Sequence, residues 1–393
     1  MSVSYKKTKL ACYTGLTVQA IINNFLPILF IIFQKDYGLS YEQLGRLLFI
    51  NFAIQILADF LTPYIVKLIG YKGSAIACHF LASLGLVLLY VLPSVMSDFY
   101  SAVVISVVIY AFSSGIIEVV MSPIMELIPQ DNKTANMAFL HSFYCWGQAL
   151  TVVLTTLLVK LLGFSDWRFI PLLWAIIPFF NMFFFMKVPV VEPQKQKGDK
   201  GSLSIFKTRE FVCFAIFMLC AGANEIAMSE WASVFAQNAL GVSKTIGDLA
   251  GPFAFAILMG SGRIIYAKYL CRFSYRKVTI ANSILCFICY FAVAVCKMPV
   301  FSLLACAVCG FSVSIAWPGT ISLAASRFEN GGTRLFSVCA LFGDTGCSTG
   351  PWILGAVADA TDLNTGFLVC CIFPIIMLLT AIFLLKEKDC KMN

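Results

Sequence analysis

Long apolar stretches broken by short polar ones run the length of the chain. A bilayer-spanning helix needs about 20 mostly apolar residues. Windows of that size fall near 10–33, 47–69, 74–95, 99–127, 135–162, 169–187, 210–236, 247–270, 278–296, 299–324, 335–358 and 366–385. The pattern therefore predicts an all-α membrane protein with twelve transmembrane helices. Spans 5 and 11 are the most polar, and span 8 contains Arg263. Lys6, Lys7 and Lys9 precede the first apolar run, as in a signal peptide. That run is too long and lacks a small-residue cleavage site, so it is read as an uncleaved first span.

Composition agrees with this pattern. Only 12% of the 393 residues are charged and 60% are hydrophobic, where soluble domains carry roughly 25% charged residues. The one long polar stretch, 190–208, divides six spans at 1–189 from six at 209–393. It reads as a cytoplasmic linker between two six-helix bundles, and the 6+6 arrangement suggests parallel pseudo-repeats. Local matches support duplication. IGYKGS at 69–74 faces FSYRKV at 273–278, with Asp59 and Arg263 each eleven residues upstream of the matched position. Ser122-Pro123 in span 4 matches Trp317-Pro318 in span 10, and the Thr134…Gly147 spacing matches Thr333…Gly346. Intramembrane charge falls on spans 2, 4, 7, 8 and 11, which predicts that spans 3, 6, 9 and 12 face lipid.

Lysine and arginine set orientation through the excess of positive charge on the cytoplasmic side. With both termini cytoplasmic, 21 of the 28 lie inside and 6 outside, with Arg263 in a helix. This asymmetry accounts for the net charge of +8 without nucleic acid, and places the chain in the cell membrane. The sixteen cysteines are scattered through apolar spans and read as small hydrophobes. Cys286 and Cys289 have a C-x-x-C spacing, but they lie in lipid-like surroundings and no histidine lies nearby. There is no G-x-x-x-x-G-K-[ST] loop, and no zinc pattern or nucleophile triad rises above background, so neither a cofactor, a metal nor catalysis is expected.

The polar residues inside the spans carry the candidate chemistry. Ser114, Glu118 and Ser122 share one face of span 4, because i, i+4 and i+8 coincide on a helix. Span 5 presents His141, Tyr144 and Gln148, and span 1 presents Asn23 and Asn24 just before Pro27. Span 7 carries Asn224 and Glu225, then Glu230, expected near the outer surface. Span 10 carries Trp317, and span 11 holds Asp344 among glycines. Carboxylates, amides and aromatic faces suit a polar, hydroxyl-rich solute, and a desolvated carboxylate can carry a proton. Glu118 and Asp344 are the proton-coupling candidates. Asn24, Glu118, His141, Tyr144, Asn224, Glu225 and Trp317 are the substrate-binding candidates, and Asp59 and Arg263 the gating charges. Pairing of Glu118 or Asp344 with Arg263 is the competing structural role, and His79 reads as structural.

EVVMSP (118–123), LHSFYCWG (140–147), GANEIAMSEW (222–231), WPGTISLA (317–324) and STGPWILGAVAD (348–359) together resemble the major facilitator superfamily. Within it they are similar to the fucose permease branch of sugar:proton symporters. The resemblance implies two six-helix bundles, alternating access and a central sugar site with a proton-coupled carboxylate, at the position of Glu118. Two departures matter. Lys67 and Leu68 replace the usual Asp-Arg of the first loop motif, and Asn24 replaces an acid of span 1. The expected function is proton-coupled uptake of a sugar or polyol by a monomer in the bilayer. The alternatives are a drug or metabolite efflux antiporter, and a non-transporting sensor or channel.

Overall fold

The computed structural model describes residues 5–129, 133–162, 167–192, 208–268, 274–328 and 332–383. No strand occurs among them. Helix α1 runs Lys6–Tyr37, tightening to a 3-10 turn at Leu26–Leu29, where Pro27 supplies no amide hydrogen. Helices α2 (41–69) and α3 (71–95) join without a loop at Gly70, whose φ of 73° and ψ of 174° break the helical path. Then come α4 (Phe99–Leu127), α5 (Lys133–Leu162), α6 (Phe169–Lys187) and α7 (Arg209–Asn238). Helix α8 (244–268) contains a π-turn at Leu249–Phe253 around Pro252. It is followed by α9 (Tyr275–Val295) and by α10 (299–327), which breaks at residues 314–315. Helix α11 is Gly332–Ala360, and α12 (363–383) is interrupted at Cys371.

Among the described residues, ten helical stretches are long and apolar enough to cross a membrane. One of them, Tyr41–Val95, is the α2–α3 pair. The polar α11 is not among the ten, and with it the spans number twelve.

The chain folds into two compact units, Met1–Leu39 with Ile50–Lys197 and Ser40–Phe49 with Gly198–Asn393. In the first, α1 is the central helix and packs most extensively on α5. Backbones approach closely at Gly147, where a methyl group would lie 2.9 Å from Ala20 Cβ and 3.1 Å from Thr17 Cα. In the second unit α7 takes the same place against α11. A methyl at Gly346 would run into the Leu219 carbonyl, and one at Gly350 would lie 2.9 Å from Ala223 Cα. Gly147 and Gly346, matched in sequence, thus make the same crossing in each half.

A second crossing repeats as well. Gly115 of α4 meets Gln55 and Ala58 of α2, while Gly310 of α10 meets Phe255 of α8. Each glycine lies eight residues before its proline, Pro123 or Pro318. This register differs from the sequence match in one place. It pairs Gln55 with Phe255, so the counterpart of Asp59 is Met259, and Arg263 lies one turn further along. The side chains of Thr134 and Thr333, and residues 193–207 of the linker, fall outside the described residues.

The lipid-facing expectation holds for α6, where Phe169, Leu173, Ile176, Phe179, Phe180, Phe183 and Met186 form an exposed apolar stripe. It extends further than expected, because α5 also exposes Leu150, Leu154, Leu157 and Leu161. His79 is structural: its Nδ1 lies 2.7 Å from the Ala75 carbonyl, and its Nε2 lies 2.8 Å from Asn181 Nδ2. Asn181 also donates to the Ala11 carbonyl at 3.1 Å, so one buried network joins α1, α3 and α6.

Glu192 was not singled out by sequence. Its carboxylate accepts the amide hydrogens of Tyr71 (2.8 Å) and Lys72 (3.0 Å). It caps α3 at the turn that Gly70 makes, where amides unpaired within the helix favour an anion.

Candidate functional site

Three polar pairs at i, i+4 spacing converge in the first unit: Gln19 and Asn23 on α1, Asn51 and Gln55 on α2, and Ser114 and Glu118 on α4. An uncompensated carboxylate or amide in an apolar bundle costs several kcal/mol, and this cluster compensates by mutual hydrogen bonding. Glu118 Oε2 accepts from Gln19 Nε2 and from Gln55 Nε2, each at 2.8 Å. Ser114 Oγ lies 2.8 Å from Gln55 Oε1 and 3.2 Å from Asn23 Oδ1. It carries one proton for two acceptors, and Asn51 Nδ2 also donates to Asn23 Oδ1 at 3.3 Å. Gln19, Asn23, Asn51, Gln55 and Ser114 are buried, whereas Glu118 is half-buried at the edge of the cluster.

The α2 stripe continues to Asp59, which is buried beside Gly115. Its carboxylate lies within 4.8 Å of that of Glu118. On the α5 side, Asn24 Nδ2 donates to the Ala20 carbonyl at 2.8 Å and lies 3.4 Å from Tyr144 Oη. Ser122 Oγ and the exposed His141 Nε2 are 3.2 Å apart. Contacts among α1, α4 and α5 thus pair Glu118 with Gln19, Asn24 with Tyr144, and Ser122 with His141. Sequence reading passed over Gln19, Asn51 and Gln55, although their spacing within apolar spans was visible.

In the second unit, Arg263 is close enough to Glu225 to act on its charge. Its Nε donates to the Ser314 carbonyl at 3.2 Å. Pro318 has no amide hydrogen for that carbonyl four residues earlier, so the proline of WPGT creates the acceptor that anchors Arg263. The Trp317 ring lies against Gly343 so closely that a methyl there would collide with it. Asp344, next along α11, is buried.

Asn224 is wholly buried and turned into the bundle. Its Nδ2 is 3.9 Å from Met377 Sδ of α12, and its backbone carbonyl accepts from Tyr290 Oη at 2.8 Å. Glu230 is only 4% exposed and accepts from Ser229 Oγ at 3.3 Å, contrary to the solvated position expected. The packing of α7 against α8, α10, α11 and α12 encloses that stretch.

Long apolar helices in two related halves, with charge buried inside the halves, define a polytopic membrane protein of the transporter class. The family profile described as Major Facilitator Superfamily matches residues 12–337, and the chain belongs to that family. A curated relative, membrane protein MosC of Rhizobium meliloti, is 25% identical over 367 residues, covering 91% of this chain and 85% of that protein. The E. coli fucose:proton symporter FucP superposes with a TM-score of 0.68 at 19% identity, covering 98% of this chain and 100% of that one. A D-xylose–proton symporter gives 0.78 at 16% identity over 98% of both chains. The nucleoside transporter NupG gives 0.75 at 15% identity, over 96% of this chain and 100% of its own. At these identities the structures establish the fold.

Proposed function

We propose that this protein is a secondary active transporter that takes up a sugar or related polyol together with protons. In this reading it is a monomer in the cell membrane with both termini cytoplasmic. Bundles at 1–189 and 209–393 are joined by the linker at 190–208. The observation that carries the reading is the Glu118 carboxylate, held by two carboxamides at the edge of a buried polar cluster, with Asp59 within 4.8 Å. Two carboxylates this close repel, and one proton between them relieves the repulsion. Proton uptake would thereby alter the hydrogen bonding of Gln19, Gln55 and Ser114, which join three helices. Asn24, Tyr144 and His141 flank Glu118 as hydroxyl-binding groups, and Glu225, Trp317 and Asn224 are their proposed counterparts in the second half. Asp344 is a second coupling acid. Asp59 and Arg263 act as gating charges, Arg263 fixed on the carbonyl that Pro318 leaves open. The sugar symporters among the structural neighbours favour this substrate class.

The test is uptake of labelled sugars and polyols by cells expressing the chain, at two external pH values. Nucleosides belong in the panel, because a nucleoside transporter shares the fold. Uptake of one sugar or polyol that rises with external acidity, and a Glu118→Gln variant whose residual uptake ignores pH, are expected. A Glu118→Gln variant with unchanged rate and pH dependence sinks the coupling assignment. Protection from toxic compounds without uptake would turn the reading to efflux.

A further inference from the structure

Two C-x-x-C turns face each other inside the second unit. Cys286 and Cys289 lie on α9, and Cys306 and Cys309 on α10, giving C-x2-C-x16-C-x2-C in sequence. That spacing matches a four-thiol metal framework, and the helix pair brings its ends together. Cys286 Sγ and Cys309 Sγ are 4.0 Å apart. Cys289 lies within electrostatic range of both Cys286 and Cys306. All four are buried, none more than 3% exposed. Sequence reading noted the first turn alone and set it aside for want of a nearby histidine. A second C-x-x-C removes that objection, because four thiolates complete a tetrahedral shell by themselves.

We propose that Cys286, Cys289, Cys306 and Cys309 form a binding site for a soft, thiophilic metal ion that staples α9 to α10. An ion about 2.3 Å from each sulfur needs sulfurs about 3.8 Å apart in a tetrahedral shell. The Cys286–Cys309 separation is close to that edge. In the proposed site the sulfurs of Cys289 and Cys306 complete the shell. Thiolate ligands select zinc, cuprous and similar soft ions over hard ones. Each thiol that binds gives its proton to solvent, so loading is favoured by rising pH. The site is separate from the Glu118 cluster, and its failure would leave the transport reading intact.

Purified full-length protein, reduced and then freed of excess reductant, is titrated with Cd2+ as a spectroscopic stand-in. The expected result is a thiolate-to-metal charge-transfer band that saturates at one ion per chain, with a raised unfolding temperature. Metal analysis of protein purified without chelator distinguishes zinc from copper as the resident ion. The double variant Cys286→Ser/Cys309→Ser should lose the band and the temperature shift. The control Cys12→Ser/Cys145→Ser, which alters thiols of the first unit, should keep both. Should the first double variant fail to fold, alkylation of wild-type protein with and without Cd2+ gives the second readout: protection of these four thiols is expected. An unsaturable band, a band unchanged in the first double variant, or alkylation indifferent to Cd2+ would overturn the proposal. So would an intact mass two hydrogens short, with peptides linking Cys286 to Cys309, because those sulfurs would then form a disulfide under the conditions of isolation.

Discussion

Glu118 shows how far a single residue can be read before its neighbours are known. Its charge in an apolar span marked it out, but what steadies it is a pair of neutral carboxamides on two other helices. A hydrogen bond to a charged group contributes about 1.5–3 kcal/mol. Gln55→Leu should therefore lower the transport specificity constant about 10- to 100-fold, at about 1.4 kcal/mol per decade. Gln55→Glu should do so with a changed pH profile, since it adds a third acid beside Asp59 and Glu118. Uptake kinetics across pH check both, and wild-type behaviour from Gln55→Leu would remove the carboxamide from the mechanism. Asp98 gives a residue-scale prediction about stability. It caps α4 through the amides of Tyr100 and Ser101, each at 3.2 Å. The Ser101 hydroxyl, then the Ser101 and Tyr100 amides, hold its carboxyl below the ordinary 3.8. A depressed folded-state value means that the stabilisation is fully present above 3.8 and fades as pH falls through the lower folded value. Asp98→Ala should thus unfold at a lower temperature than wild type at neutral pH. The gap should narrow well below pH 3.8, as thermal scans at the two pH values would report.

Between helices, glycines decide which surfaces can meet. Gly346 and Gly147 matter for space, because a side chain there meets the backbone of α7 or α1. Gly241 matters only for its backbone, with φ of 68° and nothing within 4 Å of an added methyl. Overpacking costs typically about 1–3 kcal/mol, and more where the obstacle is backbone, while a left-handed non-glycine residue costs about 1–2 kcal/mol. Gly346→Leu and Gly147→Leu should each lower the unfolding temperature more than Gly241→Ala, and by similar amounts to each other. A milder effect at Gly346 than at Gly241 would show that α7 and α11 do not cross there. The same crossings bear on the repeat. In α4 and α10 the same eight-residue glycine-to-proline spacing marks where each helix meets its partner. The loop-based match of Asp59 with Arg263 failed by one turn, because four more residues separate Phe255 from Ser274 in sequence than separate Gln55 from Gly70.

For the whole molecule, the asymmetry of basic residues predicts that both ends and the 190–208 linker are cytoplasmic. A fluorescent protein fused to the C-terminus should fluoresce, and a periplasm-dependent phosphatase fused at the same place should be inactive. A protease site placed within 193–207 should be cut in inverted vesicles and spared in intact cells. Any of these reversed would invert the orientation, and with it the direction assigned to transport.

Spans, pseudo-repeat and family were legible from the chain itself, because the bilayer imposes a length and a polarity on every helix that neighbours need not supply. So was the existence of a polar face on α4, since helical periodicity alone aligns Ser114, Glu118 and Ser122. Which residues close around that face was not legible. Gln19, Asn51 and Gln55 gain meaning only when α1, α2 and α4 converge, because a neutral amide in an apolar span is unremarkable until its partner is known. Asn224 is a similar case: that its carboxamide is buried against Met377 of α12 became visible only in the folded bundle. The two C-x-x-C turns were in the sequence throughout, and only the packing of α9 on α10 brought the sulfurs of Cys286 and Cys309 to 4.0 Å. Local periodicity and solvent set the elements, whereas the pairing of polar groups depends on distances between segments far apart in the chain.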